Sequence, residues 1–438
     1  MACNLLQGPP QPVIPTPPPL PAAPTAVLLS PVAVLPENVV FNPVSNVVPS
    51  VDPVIRALLD EVSNQQLVAY VQALESFGTR HTLSVTDRAD FGVGAARSWL
   101  YDEFVRVGNG RLQVEVDSFA LTLNGITTEQ QNIVATLPGN GSNPGAVLLV
   151  AHYDSRPIDA YDGSSQAPGA NDNGSGVAAM LEIARLLSTQ EWNMNVVFIA
   201  FAAEEQGTHG SLHFVTDRFV QQMGVTAVFD NDIVGGRPGI PQLIRVFSQG
   251  PDTSPARQVV RYLDLVGGLY VPQFGVSVID AIDRPGRYSD HMRFADVGIA
   301  ALRLTESIED PDRQHNARDT SDAIDFTYLR QVTQLNLAAI ANIIGAPPIP
   351  ESPAISPLAT AGEYLFSWTV APDAAGYVIS LRPVGSDVFA PFRFVRAEEA
   401  GEVVITGLDP TITYAVSLAA LAENGRISLF SPEITVGP

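Results

Sequence analysis

The sequence contains no lysine, because all 24 of its basic residues are arginines. This absence excludes mechanisms that need a lysine amine, such as Schiff-base formation or phosphate binding by a P-loop lysine. A single cysteine, Cys3, excludes an intrachain disulfide and a cysteine-rich structural zinc site. The basic residues are outnumbered by 46 acidic ones, and the resulting net charge of −22 argues against binding to nucleic acid or to an anionic membrane.

Long apolar runs are also missing, since no stretch of 18 or more uninterrupted apolar residues occurs in the sequence. We therefore predict no transmembrane segment. Hydrophobic residues nevertheless make up 46% of the 438-residue chain, which is enough to bury at least one large core. At about 150 residues per domain, this length favours about three structural units.

The first predicted unit is a Pro-rich tether over residues 1–52. Residues 1–53 hold 14 of the 36 prolines, and proline does not fit helix interiors or sheet ladders. Cys3 precedes this tether and follows Ala2, as at the end of a bacterial lipoprotein signal; an arbitrary cysteine near a chain start is an equally good interpretation. A lipid anchor at Cys3 is thus one of two open hypotheses.

The second predicted unit, residues 53–347, alternates helical and strand-like patterns. Apolar residues at helical spacing predict helices at Ile55–Phe77, Ala89–Val105, Gly174–Leu187 and Leu329–Ile344. Short β-branched runs predict strands at Asn132–Leu137, Ala146–Ala151, Asn195–Ala202, Ala227–Phe229 and Ile299–Leu304. Alternation of this kind is typical of an α/β domain with helices on both faces of a sheet.

The third predicted unit, residues 348–438, has short strands and no helical pattern. The strands are predicted at Tyr364–Trp368, Gly376–Leu381, Glu402–Ile405 and Thr413–Leu418, as in a β-sandwich. Leu408-Asp409-Pro410 followed by Tyr414 resembles the tyrosine corner of fibronectin type III domains, and Trp368 would be the core aromatic. We therefore predict a small all-β, fibronectin type III-like sandwich, acting as a spacer or as a contact to the cell surface.

These outer units also suggest a location. A tether, a fibronectin-like domain, an acidic surface and the lack of disulfides together favour a bacterial protein that is extracellular or held at the cell surface. This location is an expectation that depends on all four features together.

Polar residues follow the predicted strands of the central unit. His152-Tyr153-Asp154 comes at the end of the strand Ala146–Ala151, and sites in open α/β sheets lie beyond the carboxyl ends of strands. His152 and Asp154 are two residues apart and face the same way, so the carboxylate can accept a hydrogen bond from the ring nitrogen opposite a metal. A pair like this, taken alone, is more often structural.

Two further acidic segments lie near the same edge. Asp172, in the Gly-rich run Gly169–Gly176, could be a simple helix cap, but its two oxygens could also bridge two cations. Glu204-Glu205 directly follows a predicted strand, where one carboxylate could bind a metal and its neighbour could transfer a proton. Such a pair on a solvated surface would be unremarkable, so its position is what favours a functional role.

Together these segments resemble the co-catalytic zinc aminopeptidases, a family that also includes glutamate carboxypeptidases and glutaminyl cyclases. The likeness covers most of residues 55–345 and implies a three-layer α/β/α domain with a mixed central sheet. The matching segments, in family order, are His152-Tyr153-Asp154, Gly169–Gly176, Ala203–Gly207, Asp230-Asn231-Asp232, Ser289-Asp290-His291 and His315–Thr320.

The resemblance implies two zinc ions per chain, with cobalt or manganese as possible substitutes. His152 and Asp232 would bind one ion, Glu205 and His315 would bind the other, and Asp172 would bridge both. Each ion would then have three protein ligands and an open position, as catalytic zinc sites do.

The resemblance also implies roles around the ions. Glu204 would be the general base, taking a proton from a water activated by the two zincs and passing it to the leaving amine. Asp154 would orient the histidine of one ion and Asp319 that of the other, and Asp290 resembles a further acid beside the site.

Two positions depart from the family pattern. Gln314 stands where many members have an aromatic residue, which puts a phenolic oxyanion donor in doubt. Asp230 stands where asparagine is common, and an extra acid there could change the metal preference or bind a substrate amine. We expect neither change to inactivate the site, because all ligand positions and the base are filled.

The favoured function is therefore a metal-dependent aminopeptidase that hydrolyses N-terminal residues from peptides or proteins. A glutaminyl cyclase with one zinc is an alternative, as is a carboxypeptidase that uses Arg284 or Arg287 to bind the substrate carboxylate. For these arginines, a solvated loop is the competing interpretation. A non-catalytic cell-surface binding module, which would predict broken ligand positions, is the alternative from another class.

Overall fold

The computed structural model describes residues 39–44, 51–217, 223–371, 373–386 and 392–437. Cys3 and most of the predicted tether lie outside these residues, so the lipid anchor stays a prediction, as does the location. Among the helices in the described ranges, none combines the length and the apolar character needed to cross a membrane.

The helices are short to medium in length, and several begin at a side-chain cap. In the described residues they are α1 (Pro53–Asp60), α2 (Asn64–Ser76), α3 (Gly92–Gly108), α4 (Ser175–Leu187), α5 (His209–Asp217), α6 (Pro255–Tyr270), α7 (His291–Ala295) and α8 (Phe326–Gly345). Asp52, Ser63, Ser254 and Asp325 each accept hydrogen bonds from first-turn N–H groups of α1, α2, α6 and α8. These side chains satisfy donors that have no partner within the helix.

The strands form one large sheet and two small ones. Those of the large sheet are β2 (Gln113–Leu123), β3 (Ile126–Leu137), β4 (Ala146–His152), β5 (Asn195–Phe201), β6 (Val225–Asn231), β7 (Leu243–Ser248), β8 (Gly275–Ile279) and β9 (Ala301–Glu306). The small sheets contain β1 (Val40–Asn42), β10 (Ala354–Pro357), β11 (Tyr364–Ser367), β12 (Gly376–Pro383), β13 (Arg393–Arg396), β14 (Glu402–Thr406), β15 (Tyr414–Leu421) and β16 (Ile434–Val436).

The large sheet is mixed, with strand order β2-β3-β5-β4-β6-β9-β7-β8. The central strands β5, β4, β6 and β9 are parallel, β3 and β7 run antiparallel to their central neighbours, and β8 is parallel to β7. The carboxyl ends of four central strands therefore meet at one edge, which is where α/β sheets carry their sites.

Helices cover both faces of this sheet. Along β4, Val147 and Leu149 pack in a core shared with α1–α4, α6 and α8, while Leu148 and Val150 pack in a second core with residues of α5 and α7. Every residue of β4 is buried, which explains its continuous apolar sequence. The three-layer α/β/α domain with a mixed central sheet is thus confirmed.

Some predicted elements differ from the observed ones. The helical region Ile55–Phe77 is two helices, because the chain breaks after Asp60 and Ser63 caps a new helix. Strands β2, β7 and β8 were missed. They lie towards the sheet margins, and many residues of β2 and β8 are exposed or half-buried, so neither segment forms a continuous apolar run.

The C-terminal residues together with β1 form two four-stranded antiparallel sheets, β1-β14-β11-β10 and β13-β12-β15-β16. Trp368 lies in the core between them, as predicted. The hydroxyl of Tyr414 is buried without a hydrogen-bond partner in the described residues, so the likeness to a tyrosine corner does not extend to its defining hydrogen bond. The all-β character is confirmed, and the fibronectin likeness stays a prediction.

The predicted tether is wrong at its C-terminal end. Residues 40–42 form β1, which pairs antiparallel with β14 in the register Val40↔Thr406, and Phe41 is buried in the sandwich core. An apolar, β-branched run near Phe41 can add an edge strand despite the surrounding prolines. The sandwich therefore recruits residues from both sides of the central domain, and not only from 348–438.

The sandwich also shares a core with the central domain. Val378 of β12 and Ala419 of β15 belong to the same buried cluster as the central helices. Tyr262 of α6 donates its hydroxyl hydrogen bond to the Ile427 carbonyl at 2.6 Å, and Gln258 donates to the Ser431 carbonyl at 2.8 Å. A freely moving spacer would not bury such contacts.

We therefore expect the central domain and the sandwich to unfold in one cooperative transition. Tyr262→Phe should lower the free energy of unfolding in that transition. Removal of the buried hydroxyl leaves the Ile427 carbonyl unpaired and should cost about 1–3 kcal/mol. Urea denaturation followed by tryptophan fluorescence measures this change. Tyr161→Phe, at an exposed position, is the matched control. Two separate transitions in the unaltered protein would contradict the shared core.

Candidate metal centre

The predicted site residues meet at the carboxyl edge of the central strands. His152 is the last residue of β4, Glu205 follows β5, and Asp232 comes directly after β6. Asp172 lies in the turn that leads into α4, and His315 lies in the segment between β9 and α8. Five residues from separate parts of the chain are thus brought to one place by the parallel sheet.

These five residues form two groups that share Asp172. In each group, one donor atom from each of three side chains lies within 4.8 Å of the others: His152, Asp172 and Asp232 in one, and Asp172, Glu205 and His315 in the other. Asp172 Oδ1 lies 3.4 Å from His152 Nε2, while its Oδ2 lies 3.2 Å from His315 Nε2. The geometry matches the predicted arrangement of ligands, whose metal binding stays a prediction.

Two buried oxygens in the groups indicate that a cation belongs there. Asp232 Oδ1 and Glu205 Oε1 have no hydrogen-bond partner in the described residues. Buried carboxylate oxygens normally find a partner because desolvation is costly. Imidazole and carboxylate donors without cysteine suit zinc. The residues present therefore fit two divalent cations.

The other oxygens of these two carboxylates are held by arginines. Arg303 Nη2 lies 2.7 Å from Asp232 Oδ2, and Arg156 Nε donates to Glu205 Oε2 at 2.9 Å. Burial acts to raise the pKa of Asp232, but the charge of Arg303 together with the hydrogen bond and charge of His152 holds that pKa below its usual range. Arg303 thus fixes one oxygen of Asp232 and leaves Oδ1 facing His152 Nε2 at 3.5 Å. Arg156 instead binds the same Glu205 oxygen, Oε2, that lies 3.3 Å from His315 Nε2.

The sequence interpretation missed both arginines. Arg303 lies in β9, where every residue is buried, and its second partner is Asp283 Oδ2 at 2.6 Å. A charged residue within an apolar strand was the available signal, because buried charges need partners. Arg156 had no comparable signal.

Glu204 lies beside the centre and faces a cavity of about 530 Å³ that Asp172, Asp232 and His315 also line. Its Oε2 is 3.9 Å from His152 Nε2. Burial raises the pKa of Glu204 well above its usual range, against the opposing effect of the His152 imidazole. A carboxyl group with a raised pKa in this position is suited to accept and return a proton.

Asp154 positions the turn that carries the two glutamates. Its Oδ1 accepts the Glu204 N–H at 3.1 Å, and its Oδ2 accepts the Glu205 N–H at 3.2 Å. The Asp154 carboxylate is 3.6 Å from His152 Nδ1, whereas its backbone carbonyl is 3.2 Å away. The Asp154 carboxylate therefore binds the backbone of the proposed base Glu204 and of the predicted ligand Glu205. It does more than orient the histidine, which was its predicted role.

Asp319 has a different partner from the predicted one. Among the described contacts it has none to His315; its carboxylate accepts the N–H groups of Asn171 at 2.8 Å and Asp172 at 2.9 Å. Burial raises the pKa of Asp319 to about 7. Asp319 thus holds the turn that presents the shared ligand Asp172. The prediction that it orients His315 is corrected accordingly.

Asp290 and Asp230 lie beneath the centre. Asp290 accepts a hydrogen bond from the Ser211 hydroxyl, and Asp230 accepts the His291 N–H at 3.0 Å. Both acids are completely buried, so Asp230 is not placed to bind a substrate amine as the sequence had suggested. Asp290 remains an acid near the site, without direct access to the cavity.

Strained backbone marks the same region. Ala203, Ile233 and His315 have positive φ angles of 54°, 61° and 56°. Each is a predicted ligand or base, or a direct neighbour of one. Non-glycine residues in this conformation cost of order 1–3 kcal/mol and cluster at functional sites, and a β-branched residue such as Ile233 rarely adopts it.

The sequence of this chain matches a known protein family. The model of peptidase family M28 matches residues 132–340. A protein named "Probable zinc metalloprotease" from Pyricularia oryzae is 31% identical over 420 residues, which cover 85% of this chain and 83% of that protein. The chain belongs to peptidase family M28. It is thus a zinc metallopeptidase by family, and its relatives with similar sequences are fungal, so the predicted bacterial source is not supported.

Solved structures agree with the fold. The LapA aminopeptidase of Legionella pneumophila superposes with a TM-score of 0.53 at 22% identity, covering 68% of this chain and 76% of that one. A glutaminyl cyclase of Bacteroides thetaiotaomicron, bound to N-acetylhistamine, has a TM-score of 0.50 at 23% identity, covering 64% and 98%. At these identities the likeness establishes the fold and leaves the M28 activity to be argued from the site.

Proposed function

We propose that this M28 peptidase is an aminopeptidase that removes N-terminal residues from peptides. The observation that carries the proposal is the shared position of Asp172 between two groups of donors, with Glu204 beside them at the cavity. Two adjacent cations and a neighbouring carboxylate are the arrangement that metal-assisted hydrolysis uses.

The five proposed ligands form two sets of three that share Asp172. His152 and Asp232 would hold one zinc, Glu205 and His315 the other, and Asp172 would contact both. Three protein ligands for each ion leave room for substrate and water on the cavity side. Zinc, when bound, supplies a Lewis acid that polarises the scissile carbonyl and makes water more acidic.

The chain itself supplies the proton transfer. Glu204 accepts a proton from the attacking water as its oxygen forms a bond to the carbonyl carbon. The same carboxyl group then donates that proton to the amide nitrogen as the C–N bond breaks, so that the amine leaves neutral. Asp154 supports both steps because it holds the backbone N–H groups of Glu204 and Glu205.

The alternatives make different demands on the site. A glutaminyl cyclase with one zinc does not need a second complete group of donors, and this chain has two. A non-catalytic binding module would tolerate missing ligands, whereas all five positions are filled. A carboxypeptidase is a second candidate, because arginines line the cavity and could bind the C-terminal carboxylate of a substrate.

Metal removal tests the proposal directly. We expect two zinc ions per chain by mass spectrometry, and chelation should abolish release of anilide from a free-amine leucyl anilide until zinc is restored. The N-acetylated leucyl anilide is the control and should not be cleaved. One metal without anilide release would favour the cyclase, and absence of bound metal under zinc-replete conditions would contradict the metal centre.

A further inference from the structure

The cavity beside the proposed metal centre is rich in arginine. Although the chain has a net charge of −22 and 24 arginines, five of these arginines line this one cavity. They are Arg156, Arg284, Arg287, Arg293 and Arg303. The carboxylic acids that line it are Asp172, Glu204, Glu205 and Asp232, all members of the proposed centre.

Four of the five arginines have carboxylate partners of their own. Arg156 pairs with Glu205, Arg303 with Asp232 and Asp283, Arg284 with Glu309, and Arg293 with Asp296. These pairs fix the arginines to the walls of the cavity. When two divalent cations compensate the carboxylates of the centre, positive charge at the walls is left in excess.

Arg287 differs from the other four. Its Nη1 donates to the Gln314 side-chain oxygen at 2.8 Å, and no carboxylate partner of Arg287 occurs in the part of the chain that the structure describes. Gln314 is itself held by Glu309, to which it donates at 3.1 Å. Gln314 also directly precedes the proposed ligand His315. Arg287 is thus a cation with a neutral partner, held close to the centre.

We infer that the cavity selects substrates with a carboxylate near the scissile bond and that Arg287 is the specificity-determining residue. This inference rests on the proposed function. The carboxylate could be the side chain of an acidic N-terminal residue or the free C-terminus of a short peptide. In either case it would complete the charge-assisted hydrogen bonds that Arg287 lacks.

Because the whole protein is strongly acidic, binding of an anionic substrate needs a cation close to the substrate carboxylate. A net charge of −22 repels anionic peptides, and salt largely screens this repulsion at separations beyond about 8–10 Å. Inside a partly enclosed cavity the screening is weaker, so an arginine there outweighs distant charges. A neutral substrate would gain nothing from Arg287.

Matched substrates separate the two sources of the carboxylate. One arm compares glutamyl anilide with the isosteric glutaminyl anilide, and the other compares leucyl-glycine with leucyl-glycinamide. We expect the zinc-loaded protein to prefer the carboxylate in at least one arm by about tenfold in kcat/KM. Arg287→Met should reduce this preference, measured on the variant as the ratio of the two substrates of each arm, to less than about twofold.

Two further variants control for charge and geometry. Arg88→Met removes the same charge from an exposed arginine outside the cavity and should leave the preference unchanged. Arg287→Lys keeps the charge and should retain part of the preference. Equal rates in both arms, or a preference that survives Arg287→Met, would overturn the inference while leucyl anilide cleavage still supports the aminopeptidase. Loss of all free-amine cleavage in the unaltered protein would instead overturn the proposed function and this inference with it.

Discussion

Glu204→Gln is expected to lower the turnover of leucyl anilide by about 10²- to 10⁴-fold while both zinc ions remain bound. Glutamine has nearly the same shape as glutamate but cannot accept the proton from the attacking water. The backbone N–H of residue 204 keeps its hydrogen bond to Asp154, so the turn should be preserved. Steady-state kinetics together with metal content on the same sample measures both parts of the prediction.

Two comparisons make this result specific. Glu205→Gln alters a proposed ligand and should lower the metal content, in contrast to Glu204→Gln. Glu191→Gln, at an exposed position, should change neither quantity. Glu204 would lose its assigned role if its glutamine variant kept more than a tenth of the turnover, or if that variant lost metal as the Glu205 variant does.

The proposed centre could be predicted because its residues follow strands that are recognisable one by one. Apolar runs such as Ala146–Ala151 and Asn195–Ala202 end in polar residues, and parallel strands place their carboxyl ends at one edge. The resemblance to a peptidase family then supplied the pairing of ligands. Local sequence patterns and the family resemblance were therefore enough to predict most of the proposed centre.

Long-range contacts were less predictable. Arg303 reaches Asp232 from a neighbouring strand, Asp319 reaches the Asp172 turn over more than a hundred residues, and β1 joins a sheet whose other strands lie beyond residue 350. None of these pairings leaves a periodic pattern, because each depends on how distant segments are brought together. Edge strands such as β2 were not predicted for a related reason, since one half-exposed face weakens the apolar pattern in the sequence.

Arg80 is the clearest example of a residue whose role only the fold reveals. It is completely buried and donates to four backbone carbonyls: those of Tyr153 at 2.6 Å, Gly169 at 2.9 Å, Leu74 at 3.2 Å, and Pro168. It thus ties α2 to the two segments that present the ligands of the proposed centre. Burial lowers its pKa to about 10, and the surrounding acids, with Asp319 first, oppose that shift.

We therefore expect Arg80→Met to lower the free energy of unfolding by about 3–5 kcal/mol, since it leaves several buried carbonyls unpaired and removes a positive charge among buried acids. The zinc affinity should fall about tenfold or more, because the Gly169 carbonyl anchors the turn that carries Asp172. Urea denaturation of the chelated protein measures the first effect, and zinc titration with a competing chelator measures the second.

Arg80→Lys sharpens this test. A lysine keeps the positive charge, but its single ammonium group cannot reach carbonyls on three separate segments, so it should recover little of the stability. Arg88→Met, at an exposed arginine that pairs with Asp90 and lies over the Phe91 ring, should leave both measurements unchanged. Near-complete rescue by lysine would mean that Arg80 acts through its charge alone. In that case the rigidity of the metal-binding turns would have to come from Asp319, which accepts the Asp172 N–H, and from Asp154, which accepts the Glu204 N–H.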